Sequence, residues 1–218
     1  MSKVANIRSV VVVGSGNVAE SVALAVADSF ALELKQVVAR NAVRAEAVAQ
    51  LAGCEWCSDL GEGNRGVLYP FQTFTAGRRV DFSAVPLFVE GSDEDTTQAI
   101  ESVANALSQR VYRANSKRRR EIHLTGVFAC NFVNALYSMA TDLLDEREGL
   151  PFDVLRPLIE ETAAKAVEAA HPRNVQTGPA VRGDKAVAER HVAMLGEANQ
   201  QEIYKLLTDY IWQTSRKI

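Results

Sequence analysis

The first residues with a recognisable chemical pattern are small and lie near the N-terminus: Gly14-Ser15-Gly16-Asn17-Val18-Ala19. Glycines at positions 14 and 16 permit a tight turn and let the backbone approach a pyrophosphate, and Ala19 lets a helix pack closely on a strand. A helix that begins here adds amide groups and the positive end of its dipole. The pattern predicts that Gly14, Ser15, Gly16, Asn17, Val18 and Ala19 bind a dinucleotide. The alternative is a turn that only packs a helix on a sheet.

Two arginines follow where the type of dinucleotide is selected. A fold that selects NAD places Asp or Glu at the end of its second strand, about 20 residues beyond the glycines, to bind the ribose hydroxyls. This chain has Arg40 there, and Arg44 comes one helical turn later. Guanidinium groups bind phosphate through paired hydrogen bonds, so the sequence favours NADP over NAD. The alternative is that both arginines are solvated surface residues.

A third set of polar residues, His123, Asn131 and Asn134, lies on the predicted long helix, where the two asparagines occur in the otherwise apolar run 127–134. A spacing of eleven residues returns His123 and Asn134 to nearly the same face of an α-helix. Buried asparagines are costly unless they are hydrogen-bonded, so the three are candidate catalytic residues. The simpler interpretation is that they are satisfied core groups, which are more common than catalysts on an apolar face.

Two other patterns are weaker. Cys54-Glu55-Trp56-Cys57 has the spacing of redox and zinc sites, but no second pair of ligands accompanies it, so two ordinary cysteines are favoured and no metal is expected. The basic run 117–120 points around the whole circumference of a helix, which favours a solvated helix start. A net charge of -3 also argues against nucleic acid as the partner.

The elements that carry these residues alternate at first and are then helical. We predict a strand at Ile7–Val13 that is buried on both faces, a helix at Asn17–Phe30, a strand at Leu34–Ala39 and a helix at Val43–Leu51. From Ser116, the predicted N-cap of a long helix, the pattern is entirely helical. The fold class is therefore an α/β Rossmann-type domain, residues 1–114, followed by an all-α domain, residues 115–218.

The segment between Leu60 and Gly66 is too short for a complete dinucleotide fold. Such a fold has two mononucleotide-binding halves, and a further βαβ unit takes about 30 residues. Either the sheet is cut down, or central strands that connect Leu60 to Gly66 are missing from this sequence. The second is favoured, because an open half-sheet exposes a strand edge.

Composition limits the class of protein. The 218 residues are 47% hydrophobic and 23% charged, as in globular proteins, and no uninterrupted apolar run approaches the roughly 20 residues that span a bilayer. We expect a cytoplasmic protein that binds a small-molecule substrate and neither nucleic acid nor membrane. Apolar residues around much of the long helix, such as Phe128, Phe132 and Leu136, predict a homodimer.

Four stretches carry a resemblance to a known family: 11–19, 66–74, 123–137 and 176–184. The sequence resembles bacterial proteins that join a Rossmann-like NADP-binding domain to a C-terminal helical domain of unknown function, within the 6-phosphogluconate-dehydrogenase-like oxidoreductases. In related dehydrogenases a lysine and an asparagine on a comparable helix often touch the substrate, but no lysine of this chain matches residue by residue. The leading hypothesis is hydride transfer between NADP and a small carbonyl or imine, with His123 moving the proton and Asn131 and Asn134 orienting the substrate. The competing hypothesis is an NADP-binding sensor or scaffold without turnover.

Overall fold

In the computed structural model, which describes residues 9–59 and 66–215, strands and helices alternate in the N-terminal half. The elements are β1 (Ser9–Val13), α1 (Asn17–Ala27), β2 (Glu33–Val38), α2 (Ala42–Ala52), β3 (Glu55–Cys57), β4 (Gly66–Pro70), β5 (Leu87–Gly91), α3 (Glu94–Leu107) and β6 (Val111–Arg113). The predicted strand and helix order is confirmed. Residues 7 and 8 of the predicted first strand, and Leu60 with most of the predicted loop after it, lie outside the described residues.

The described strands form two sheets of three. β1, β2 and β3 are parallel and lie in that order, whereas β4 is antiparallel to β5 and β5 is parallel to β6. Within the described residues β1 therefore has a strand on one side only. Its side chains Val11 and Val13 are 50% and 59% exposed. The prediction that this strand is buried on both faces is wrong: Val10 and Val12 face the core, whereas the opposite face, which carries Val11 and Val13, is exposed among the described residues.

The core lies between these sheets and their helices. One cluster joins Val26 of α1 to Leu87 and Val89 of β5, and a second joins Val37 of β2 to Val48 of α2. Leu87, Val26 and Val37 are completely buried. This packing fixes the junction of β1 with α1.

The C-terminal half is helical, as predicted. A continuous helix is formed by α4 (Ser116–Gly126), a π-helical turn (Val127–Phe132) and α5 (Val133–Glu148). It is followed by α6 (Arg156–Glu168), α7 (Pro179–Arg182), α8 (Lys185–Met194) and α9 (Ala198–Ser215). The N-cap of α4 is Asn115, whose side chain accepts a hydrogen bond from the backbone of Arg118, and not Ser116 as predicted.

The chain divides into two compact units, residues 1–136 and residues 137–218. The change from mixed to helical structure lies near Asn115, where the sequence places it. The first unit nevertheless keeps α4, because Arg119 pairs with Glu90 of β5 and donates to the carbonyl of Ala114.

Burial differs sharply between the two halves of the chain. In the described residues from 115 to 215 no side chain is buried, and Phe128, Leu158 and Leu206 are 62%, 64% and 70% exposed. One described helix, residues 116–148, has the length and composition to cross a membrane, with a mean hydropathy of 1.2 in its most apolar window. Length and composition of a single helix are weak evidence for a membrane span, since helices of soluble proteins meet the same criteria.

Candidate functional site

The turn after β1 has a backbone that only glycine adopts easily. Gly14 has a φ of +135°, and its N–H donates to the carbonyl of Val38 at the end of β2, at 2.8 Å. A Cβ at Gly14 would lie 3.1 Å from the Cβ of Ala19. Close packing of helix on strand therefore excludes a larger residue, as the sequence predicts.

The start of α1 suits an anion. Its N-cap is Gly16, which supplies no side-chain hydrogen bond, whereas Asn41, Asp93 and Asn115 cap α2, α3 and α4 through their side chains. A Cβ at Gly16 would meet no atom within 4 Å among the described residues. Uncapped amides beside open space fit a phosphate group at this turn.

Arg40 lies two residues beyond Val38, the residue whose carbonyl binds Gly14. β1 and β2 are parallel, so their carboxyl ends meet at one edge of the sheet, and Arg40 lies at the edge that carries the turn. Arg40 and Arg44 are exposed, and neither forms an ion pair within the described part of the chain. Both arginines are therefore free to meet a phosphate.

A cavity of about 1490 Å³ extends from this turn. Its walls come from the open edge of β1, the start of α1, one face of α3 and the segment around Leu68, Gln72 and Phe74. It is roomy enough for a dinucleotide, since small-molecule sites usually enclose about 300–1,000 Å³.

His123 has a partner that the sequence did not indicate. Its Nδ1 lies 3.1 Å from the hydroxyl of Tyr69 on β4. Tyr69 is half-buried, and burial raises the pKa of its hydroxyl, so the phenol keeps its proton at neutral pH. His123 is exposed at the other side of this contact. The pair places a titratable imidazole at a fixed point on the surface of the first unit.

An aromatic layer lies under α4. Tyr69, Phe71 and Phe88 contact one another and Tyr112 stacks on Phe88, with ring centroids 5.5–6.5 Å apart. A Cβ at Gly126 would lie 2.8 Å from the ring of Phe71, so the glycine lets the helix approach the layer closely. His123 and Gly126 are three residues apart, so one face of α4 rests on the rings.

The segment from Tyr69 to Phe74 connects the two parts of the site. At its start the Tyr69 hydroxyl contacts His123, and at its end the carbonyl of Phe74 accepts a hydrogen bond from Asn17 Nδ2 at 3.5 Å. Asn17 is the first residue of α1. The sequence marks this segment only through the family resemblance, which includes Tyr69-Pro70-Phe71-Gln72-Thr73-Phe74, and assigns it no role.

Asn131 and Asn134 are not arranged as predicted. Both side chains are exposed, so the argument from the cost of buried amides is wrong for this chain. The π-helical turn between His123 and Asn134 also removes their alignment, since one extra residue in a helix rotates all later residues by about 100°. Asn134 therefore does not share the face of the helix that carries His123, and the catalytic roles of all three residues stay predictions.

The weaker patterns have structural explanations. Cys54 and Cys57 are free thiols, burial is the main cause that raises the pKa of Cys54, and Cys57 Sγ lies 3.1 Å from the carbonyl of Asp59. No group of three metal-ligating side chains occurs within residues 9–59 and 66–215. In the basic run, the Arg119 side chain is only 13% exposed and pairs with Glu90, so this arginine anchors the helix rather than being solvated.

Comparisons with known proteins agree with this geometry. Residues 85–211 match a family model described as a domain of unknown function, DUF2520. The crystal structure of a Bacteroides fragilis protein, provisionally named an NADP oxidoreductase, is 32% identical with a TM-score of 0.82, covering 95% of this chain and 99% of that one.

A Thermotoga maritima protein of known structure is 16% identical, with a TM-score of 0.74 over 95% of this chain and 100% of that one. No curated protein matches. The α/β region of Rossmann type followed by a helical region is thus a fold that these solved structures share.

Proposed function

We propose that this chain, which belongs to the DUF2520 family, is an NADP-dependent oxidoreductase that transfers hydride between nicotinamide and a small carbonyl or imine. The similar Bacteroides fragilis protein is provisionally named an NADP oxidoreductase, which supports this class of cofactor and reaction. Neither comparison indicates the substrate.

The observation that carries the proposal is the segment Tyr69–Phe74. It contacts the residue that starts α1 at one end and the imidazole of His123 at the other. A hydride-transfer enzyme needs its dinucleotide-binding turn and its proton donor held in a fixed position relative to each other. A turn that only packs a helix on a sheet would not require this connection.

Each group of residues has a separate task in the reaction. The amides around Gly16 hold the pyrophosphate, and Arg40 with Arg44 binds the 2′-phosphate. When it is bound, the nicotinamide supplies or accepts the hydride. His123 donates a proton to the carbonyl oxygen or imine nitrogen in the direction of reduction. Asn131 and Asn134, on the following turns, are proposed to orient the substrate.

A pair of glycine substitutions tests the cofactor site. In Gly16→Ala the new methyl group meets no atom of the described residues within 4 Å, so stability should be unchanged while the methyl group obstructs the phosphate. Gly196→Ala, in equally open space, is the matched control. We expect NADPH affinity to fall at least tenfold in Gly16→Ala alone. Unchanged affinity would contradict the proposed site.

Turnover separates an enzyme from a sensor. The protein is incubated with NADPH and panels of carbonyls and imines, and absorbance reports oxidation of the cofactor. An enzyme oxidises NADPH with at least one compound, and His123→Ala lowers that rate about 100-fold or more without changing nucleotide affinity. A sensor binds NADPH and never oxidises it.

We also propose that the protein forms a homodimer through its helical half. The support is the exposure of apolar side chains there, including Phe128, Phe132 and Leu206, in a stretch whose described residues include no buried side chain. Apolar surface of this extent on helices is normally covered by protein.

A further inference from the structure

We propose that Tyr69 is the positioning residue of His123. Its hydroxyl engages Nδ1 of the imidazole and leaves Nε2 as the nitrogen that exchanges a proton with the substrate. The two atoms lie 3.1 Å apart. The catalytic part of this inference rests on the proposed function, whereas the state of the imidazole can be measured without any substrate.

The direction of the hydrogen bond depends on what each group can do. A phenol donates more readily than it accepts, and a neutral imidazole offers one bare nitrogen as acceptor. Among the described residues, His123 Nδ1 is the hydrogen-bond partner of the Tyr69 hydroxyl. The phenol therefore donates to Nδ1, and the hydrogen of the neutral ring is on Nε2.

The same contact serves both protonation states. When the imidazole gains a proton, Nδ1–H becomes the donor and the phenol oxygen accepts after the hydroxyl rotates. The imidazolium then gives its Nε2 proton to the substrate, which leaves a neutral ring with its hydrogen on Nδ1, donated to the phenol oxygen. A proton from solvent returns to Nε2 and restores the imidazolium. In each state Tyr69 contacts the same nitrogen, so the orientation of the ring is kept.

Tyr69 is the fixed member of the pair. β4 pairs with β5, with Tyr69 opposite Phe88, and the phenol ring also contacts Phe71. The neighbouring Pro70 is buried. His123, by contrast, is exposed on α4, where an imidazole without a partner samples several rotamers. Tyr69, held in the sheet, therefore restricts the rotamer of His123 on the helix.

The chain contains a matched comparison. His191 Nδ1 lies 2.8 Å from the hydroxyl of Tyr204, a contact between the same atoms in the second unit. No part of the proposed site lies near these positions in the sequence. Tyr204→Phe therefore removes an equivalent hydrogen bond without altering the candidate site.

The first test is ¹⁵N NMR of histidine-labelled protein at alkaline pH, where imidazoles are neutral. The chain has three histidines. We expect His123 as the Nε2–H tautomer, with a bare, hydrogen-bonded Nδ1. In Tyr69→Phe, which keeps the ring packing, the ¹⁵N chemical shifts of His123 Nδ1 and Nε2 should approach each other, as in a mixture of tautomers. Tyr204→Phe should change only the shifts of His191. An Nδ1–H tautomer in the unaltered protein, or no change in Tyr69→Phe, would overturn the proposal.

The second test uses a substrate found in the carbonyl and imine panels. Misplacing a reacting group by about 1 Å costs roughly 100-fold, so Tyr69→Phe should lower kcat about 10- to 100-fold with the KM for NADPH unchanged. Tyr204→Phe should leave both parameters unchanged. If kcat in Tyr69→Phe is also unchanged, the positioning role is refuted. If no variant turns over any substrate while the NMR result holds, the proposed function fails and the tautomer assignment survives.

Discussion

Arg40→Ala should remove most of the preference for NADPH over NADH. The side chain lies at the carboxyl edge of the parallel sheet and forms no ion pair within the described residues. Hydrogen bonds to charged groups contribute about 1.5–3 kcal/mol. Arg40 is exposed, so water offsets part of this, and we expect about 1–2 kcal/mol, or roughly 5- to 30-fold in affinity.

The assay is titration of NADPH and NADH by calorimetry or by nicotinamide fluorescence at fixed salt. Affinity for NADPH should fall in Arg40→Ala and affinity for NADH should not, because only NADPH carries the 2′-phosphate. Arg44→Ala should give a smaller effect in the same direction. Arg190→Ala, an exposed arginine on α8, is the control for the loss of one positive charge.

Two results would refute this reasoning. Equal affinities for NADPH and NADH in the unaltered protein would mean that no group selects the 2′-phosphate. Equal losses for both nucleotides in Arg40→Ala would mean that the arginine supports the fold of the turn instead. Thermal unfolding of each variant distinguishes a lost contact from a destabilised sheet.

Three further predictions concern the fold. Leu87→Ala removes a completely buried side chain from the larger core cluster and should lower the free energy of unfolding by roughly 2–5 kcal/mol, measured by denaturant titration. Asp93 caps α3, and hydrogen bonds from Thr96, its backbone N–H first, lower the pKa of the carboxyl group. Its contribution to stability is therefore present above the unfolded pKa and is lost as pH falls through the folded pKa; Asp93→Asn should keep the cap and reduce this loss, as acid unfolding curves would reveal. Sedimentation at micromolar concentration should give a dimer that buries upwards of about 1,000 Å². A monomer there would contradict the proposed covering of Phe128 and its neighbours.

Local features could be predicted from the sequence because the nearby residues determine them. The turn at Gly14 depends on one backbone angle and on Ala19, five residues away, and its pattern is visible in the chain. The order of strands and helices is set by hydrophobic periodicity in the same way.

Features set by distant residues could not be predicted. Burial of the second face of β1 depends on which distant residues pack against it, and no local pattern reports them. The contact between Tyr69 and His123 joins residues 54 positions apart. The π-helical turn after Gly126 adds a residue to a helix whose apolar pattern looks regular, so the expected alignment of His123 with Asn134 failed.

The side of β1 that faces away from β2 borders the proposed cofactor site. Val11 and Val13 lie on the face of β1 that borders the large cavity, and they are half exposed there. Among the described residues β1 is also the edge strand of its sheet, and proteins normally cover such edges. Asp59 and Gly66, which flank the short connection between the sheets, both line that cavity. That central strands are missing from this sequence at the connection stays a prediction. The turn and Arg40 belong to the first mononucleotide-binding half of the fold, so recognition of the adenosine phosphates should depend on that half. Binding of the nicotinamide would need the further strands that cover β1.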